Sequence, residues 1–187
     1  MKKILLIIGT RPEAIKMAPV YHAFRQAGDA FETRLCLTGQ HMELVEEVLD
    51  FFNIQADFRL DVMKESLGDL NRLTTLLLAK VKTVLEAWRP DCVLVQGDTT
   101  SAFAAGLAAF YEGIKIGHIE AGLRTFDKLN PFPEEFNRSA LSRLADFHFA
   151  PTEQAKQHLL NEKIPEENIL VCGNTVVDAL REGKMRL

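Results

Sequence analysis

Several absences in this chain each remove a class of protein. The longest nearly apolar stretch, residues 101–111, falls far short of the roughly 20 residues a membrane helix needs. No membrane partner is therefore expected. The N-terminus has two lysines and a short apolar run, but Gly9-Thr10-Arg11-Pro12-Glu13 follows at once. A secretory leader needs a longer apolar core and a small-residue cleavage site, so a cytoplasmic protein is expected. Cysteine is scarce: Cys36, Cys92 and Cys172 lie far apart, and there is no Cys-x-x-Cys pair. That argues against a disulfide framework or a thiolate metal site and for buried, reduced thiols. Neither charge sign dominates, since 22 basic against 26 acidic residues leave −4. The basic residues are spread along the chain, so nucleic acid is not an expected partner. Gly-x-Gly-x-x-Gly and Gly-x-x-x-x-Gly-Lys-Ser/Thr are both missing, and with them the glycines that let a backbone press against a pyrophosphate. A plain dinucleotide-binding domain is thereby disfavoured.

What remains is an ordinary globular composition, 47% apolar and 26% charged over 187 residues. That length corresponds to about one domain and can bury a core without disulfides or metals. The pattern is strand, turn, helix, repeated. Residues 3–8 are an apolar run stopped by Gly9, as in a strand buried on both faces. Pro12 suits the first turn of a helix running to about Ala27. A strand over 31–37, a helix over 41–52 and a short strand near 58–60 follow. Residues 68–88 form a long amphipathic helix, with Leu70, Leu73, Leu77, Val81, Val84 and Trp88 at helical spacing. Further strands are expected at 91–96, 115–119, 147–149 and 169–171, with helices over 101–111, 134–144 and 152–160. Thr152 is the N-cap of the last of these. Residues 175–186 read as one more helix. Such alternation implies parallel pairing and right-handed crossovers, hence an α/β, Rossmann-like three-layer parallel sheet.

In such folds ligands bind beyond the carboxyl ends of the strands, where strand order reverses. The turns that reach that edge carry Arg11 with Lys16 just beyond, then Gln40 and His41, then Asp98 and Thr99, then Glu120. Arg11 suits bidentate phosphate binding. Asp98 suits either an N-cap or a ligand contact. Glu120 ends a buried strand and shares a face with His118 by alternation, so its carboxylate must be paired, protonated or functional. Residues 123–136 have no regular pattern, and a loop of that length in a compact domain is usually functional or disordered. Phe126, Pro131, Phe132 and Pro133 suggest a packed path. Glu134 and Glu135 either favour a helix N-terminus or deliver a third carboxylate. Asp98, Glu120 and Glu134 facing Arg11 and Lys16 point to acid–base chemistry on a ligand with an anionic part. Mg²⁺ binding ranks below that, because no Asp-x-Asp chelating pair occurs.

Six blocks now stand in order along the chain. They are Gly9-Thr10-Arg11-Pro12-Glu13-Ala14-Ile15-Lys16, Thr38-Gly39-Gln40-His41, Gln96-Gly97-Asp98-Thr99-Thr100, His118-Ile119-Glu120-Ala121-Gly122-Leu123-Arg124-Thr125, Pro133-Glu134-Glu135-Phe136-Asn137-Arg138 and Cys172-Gly173-Asn174-Thr175. Together they closely resemble the non-hydrolysing bacterial UDP-N-acetylglucosamine 2-epimerases. The resemblance implies one half of a two-domain, glycosyltransferase-B-type fold. It implies interconversion of UDP-GlcNAc and UDP-ManNAc at C2, through elimination and re-addition of UDP, with no redox cofactor and no metal. Asp98, Glu120 and Glu134 match the family's catalytic carboxylates. Arg11, Lys16, Thr99 and Arg138 match substrate-binding positions, and Gln40 and His41 a region tied to a second, regulatory UDP-GlcNAc in some members. The resemblance also implies residues 1–173 as the N-terminal domain, 174–187 as the start of an interdomain linker helix, and a C-terminal domain absent from this chain. An inactive isolated half follows. Dimerisation through the N-terminal domain is implied too, with the 68–88 helix as the candidate face. The alternatives are a hydrolysing relative that releases ManNAc and UDP, and a non-catalytic half-subunit of a split enzyme of this fold.

Overall fold

The computed structural model describes residues 1–39 and 42–186. Seven strands form a single parallel sheet: β1 (Lys2–Ile8), β2 (Phe31–Leu37), β3 (Phe58–Arg59), β4 (Cys92–Gln96), β5 (Lys115–Ile119), β6 (Phe147–Ala150) and β7 (Ile169–Val171). The helices are α1 (Arg11–Gln26), α2 (Met42–Phe51), α3 (Met63–Ser66), α4 (Leu70–Trp88), α5 (Thr100–Tyr111), α6 (Glu134–Leu144), α7 (Glu153–Asn161) and α8 (Val176–Arg186). Strand order is β3-β2-β1-β4-β5-β6-β7. The chain winds outward from β1 to β3, then crosses back to β4 and winds the other way. The reversal lies between β1 and β4, so their carboxyl ends open the crevice expected of a doubly wound sheet.

β1 is buried on both faces because its side chains alternate between two cores. Ile4, Leu6 and Ile8 pack with α1 and α2, while Leu5 and Ile7 pack with α4 and α5. The apolar stripe of α4 faces inward through Leu73, Leu77, Val81, Val84, Leu85 and Trp88. α4 begins at Leu70, two residues later than its pattern suggests. Gly68 has a positive φ, and the Asp69 carboxylate caps the helix by accepting from Arg72 N–H. α8 lies back against α1 and α2. Ala179 is buried there, Glu182 meets His22 at 2.8 Å, and the Arg186 guanidinium sits 5.6 Å from the Phe52 ring centre. No described helix is long and apolar enough to cross a membrane.

Three expectations need correction. Cys36 is buried and Cys92 half-buried, with burial pushing their thiols up to about 12 and about 11, but Cys172 is exposed. It follows the edge strand β7. Aromatic packing of the 123–136 loop is slight: Phe126 and Phe132 are 69% and 63% exposed, and Phe126 meets the His158 ring edge-on at 5.1 Å. The loop is held by polar contacts instead, as described below. Glu120 does not continue the alternation of β5. The strand ends at Ile119, and Glu120 has φ +66°, in the left-handed region. Its direction is therefore set by the turn and not by the register of His118. Gly122 makes that turn possible, since it has φ +90° and a Cβ there would fall 2.3 Å from the Ala155 carbonyl oxygen.

Candidate active site

A cleft of about 360 Å³ opens at the switch point, lined among others by Glu13, Lys16, Gln96, Asp98, Glu120 and Arg138. Its parts come from the turns after β1, β4 and β5 and from α6. The Glu120 carboxylate accepts from Lys16 Nζ at 2.5 Å, from Asn174 Nδ2 at 3.1 Å and from Gln96 Nε2. Lys16 is one turn into α1, and Asn174 stands just before α8. Three separate stretches of chain thus converge on one carboxylate in a left-handed residue. Non-glycine residues in that conformation cost of order 1–3 kcal/mol and persist where the surroundings over-determine them, often at functional sites.

Asp98 faces Arg138 from α6 at 3.0 Å, and its backbone carbonyl accepts from Asn137 Nδ2. Asp98 is not the cap of α5. Thr99 is, accepting from Ala102 N–H at 3.0 Å. The aspartate side chain is thereby left for the cleft. Burial raises its pKa, against the pull of Arg138 and Lys16 and with the push of Glu134 and Glu120. Asp98, Glu120, Glu134, Lys16 and Arg138 therefore act on one another electrostatically. Among the described residues, one buried oxygen of Glu134 has no hydrogen-bond partner.

Glu135, next to Glu134, is a frame residue. Its carboxylate accepts from Thr125 N–H at 3.1 Å and Phe126 N–H at 3.0 Å and meets Arg138 at 3.4 Å. Arg124, whose side chain is 1% exposed, holds the same loop from below by donating to Glu162 and Ser142. His118 is a buried sheet histidine. Its Nε2 lies 2.7 Å from the Gly97 carbonyl, and burial lowers its pKa to about 3.

Of the expected site residues, Lys16, Asp98, Thr99, Glu120 and Arg138 share the cleft lining. Glu134 is outside that lining, but its charge acts on Asp98. Arg11 is exposed and lines the neighbouring groove of about 740 Å³ between α1, α2 and α8, with Ile15, Phe51 and Ala179. Gln40 and His41 lie outside the described residues. Sequence reasoning missed Glu13, Gln96 and Asn174. Thr10-x-x-Glu13 carries a capping-box signature that points to the first. Gln96 and Asn174 stand at the carboxyl ends of β4 and β7, the edge already marked for ligands.

Fold and cleft together define a doubly wound α/β domain with paired and unpaired carboxylates at its switch point. Comparison with known proteins makes this specific. A family model described as UDP-N-acetylglucosamine 2-epimerase matches residues 23–187. The Yersinia pestis UDP-N-acetylglucosamine 2-epimerase is 53% identical over 178 residues, which are 95% of this chain and 47% of that protein. The crystal structure of the Neisseria meningitidis UDP-GlcNAc 2-epimerase bound to UDP-GlcNAc superposes with a TM-score of 0.95 at 50% identity, covering 99% of this chain and 50% of that one. Acinetobacter baumannii MurG, 16% identical with a TM-score of 0.66, shares the fold alone. This chain belongs to the UDP-N-acetylglucosamine 2-epimerase family, and it spans about half the length of the curated relatives it matches.

Proposed function

We propose that this domain supplies the carboxylate half of an enzyme that interconverts UDP-GlcNAc and UDP-ManNAc by inversion at C2. A second domain of the kind its relatives carry beyond this span would close over the nucleotide. Residues 1–173 would be the first lobe and α8 the beginning of the connection. The observation that carries this reading is the cleft itself, where Asp98 and Glu120 stand among cations at the point where such sheets bind ligands. The likeness to the UDP-GlcNAc-bound Neisseria meningitidis protein supports the ligand class.

The chemistry explains the residue types. The C2 proton is not acidic, because no ring carbonyl activates it. It leaves as the bond from C1 to the diphosphate oxygen breaks, and UDP departs with that electron pair. The product is 2-acetamidoglucal, reached through oxocarbenium character at C1. A carboxylate takes the proton, and its charge steadies the cationic carbon. In the return step a UDP oxygen attacks C1 and a proton reaches C2 from the opposite face. Asp98 and Glu120 stand in different surroundings, one against Arg138 and one against Lys16, Gln96 and Asn174. Two unlike carboxylates suit a reaction that needs proton transfer at two faces. Glu134 adds negative charge that acts on Asp98. Lys16, Arg138 and Arg11 are the cations available to the departing diphosphate.

The test is proton and phosphorus NMR of UDP-GlcNAc in D₂O, with this domain joined to the second half of a relative. Deuterium at C2 together with UDP-ManNAc is expected. Free ManNAc and UDP would instead select the hydrolysing reaction. The isolated 187-residue chain should give negligible turnover, because half the ligand contacts and the closure that excludes water are missing. Deuterium at C2 from that chain alone would contradict the two-lobe account.

A further inference from the structure

The first turn of a doubly wound sheet, at the switch point, ordinarily offers free backbone amides to a ligand phosphate. Here those amides are already taken. Gly9 N–H and Thr10 N–H donate to one carboxylate oxygen of Glu13, at 2.7 and 2.6 Å, and Thr10 Oγ1 donates to the same oxygen at 2.9 Å. The other oxygen accepts from Thr99 Oγ1 at 2.6 Å. Glu13 is 2% exposed although it borders the cleft. The turn also leaves no slack. A Cβ on Gly9 would lie 2.4 Å from Ser101 Oγ and 2.9 Å from Thr38 Oγ1. A carboxylate that receives two amides and two hydroxyls has the donor set of a bound phosphate oxygen.

We infer that the Glu13 carboxyl group is a built-in acceptor that fills this domain's own phosphate cradle. It fastens the β1 turn to the start of α5 through Thr99 and turns a ligand's diphosphate away from the Gly9 and Thr10 amides. Glu13 is thus a specificity-determining and positioning residue for the site, acting through backbone amides and Thr99. It directs the diphosphate toward the cleft cations and the opposite lobe. The identity of the excluded anion as a nucleotide diphosphate rests on the reading above. The exclusion itself does not.

The experiment is ¹H–¹⁵N NMR of this chain, following the Gly9 and Thr10 amides during titration with inorganic pyrophosphate. In the wild-type chain both amides should stay still while resonances of Lys16 and Arg138 respond. In Glu13→Ala the same two amides should shift saturably with pyrophosphate, and formate should move them in the same direction by refilling the carboxylate's place. Apparent affinity at those amides should rise at least about tenfold over wild type, since charge-assisted bonds to an anion replace the lost ones. If Glu13→Ala fails to fold, Glu13→Ser empties the same cradle with a short polar side chain, and a pyrophosphate response at the two amides is expected there too. A wild-type response at Gly9 and Thr10, or a folded variant that stays silent, overturns the inference. Either result is independent of whether nucleotide sugar is turned over, which tests the epimerase reading separately.

Discussion

Glu134 and Glu135 are adjacent, open the same helix and serve different purposes. Glu135 is bound by two backbone amides and an arginine, while one buried oxygen of Glu134 has no partner among the described residues. The same division separates two regions of the molecule. In the frame, Glu13 and Glu135 each take two backbone amides. In the cleft, among the described residues, Asp98 and Glu120 are held by side chains: lysine, arginine, glutamine and asparagine. Backbone donors cannot withdraw without unfolding the turn they belong to. Side-chain donors can swing away when a ligand arrives. The difference teaches where to look for chemistry: in the carboxylates whose partners are free to leave.

That contrast can be broken from either side. The largest effect should come from Arg124→Ala, which leaves Glu162 and the loop without their cation. Removing one partner of a buried pair costs about 3–5 kcal/mol, read as a lowered urea midpoint. Next come Asp98→Asn and Glu120→Gln in the two-lobe enzyme. Each should cut turnover by about 100-fold or more, as for general acid–base groups, with melting temperature nearly unchanged. Wild-type rates in either would remove that residue from the mechanism. Glu135→Ala should cost about 1–3 kcal/mol by orphaning the Thr125 and Phe126 amides, and hydrogen exchange at those amides should speed up.

A smaller effect follows pH. Burial tends to raise the pKa of Glu162, but the hydrogen bond and charge of Arg124 outweigh it and set the value below the ordinary 4.5. The pair's stabilisation is therefore present above 4.5 and is lost as pH falls through the lowered value. Glu13 is shifted the other way, burial outweighing its donors. Its contribution is greatest below 4.5 and diminishes as pH rises through the raised value. Urea midpoints followed across the acid range should show Arg124→Ala losing the first dependence while retaining the second. The smallest change should be Thr152→Ala, which removes a helix cap worth about 1 kcal/mol. Thr99→Ala should cost more, because that hydroxyl also donates to Glu13.

The legible part of this molecule is local. Glycine stops, apolar runs and helical spacing located the seven strands, and α6 and β7 match their expected limits to the residue. Lys16, Asp98, Glu120 and Arg138 reached the cleft because the carboxyl ends of parallel strands share one edge. The single-turn helix α3 left no periodicity to read. The partners of Glu120 were hidden for another reason: Lys16 and Asn174 stand 104 and 54 residues away in sequence. Strand alternation misjudged Glu120 because a positive φ interrupts it. The 123–136 loop looked aromatic and packed, yet its order comes from Glu135 and Arg124, whose contacts no composition reveals.

The most direct measurement is the rate of deuterium entry at C2 of UDP-GlcNAc in D₂O for the two-lobe enzyme and its Asp98→Asn, Glu120→Gln and Thr152→Ala forms. The account expects exchange to collapse in the two cleft variants and to persist in the cap variant. Exchange at the wild-type rate in both cleft variants would contradict it.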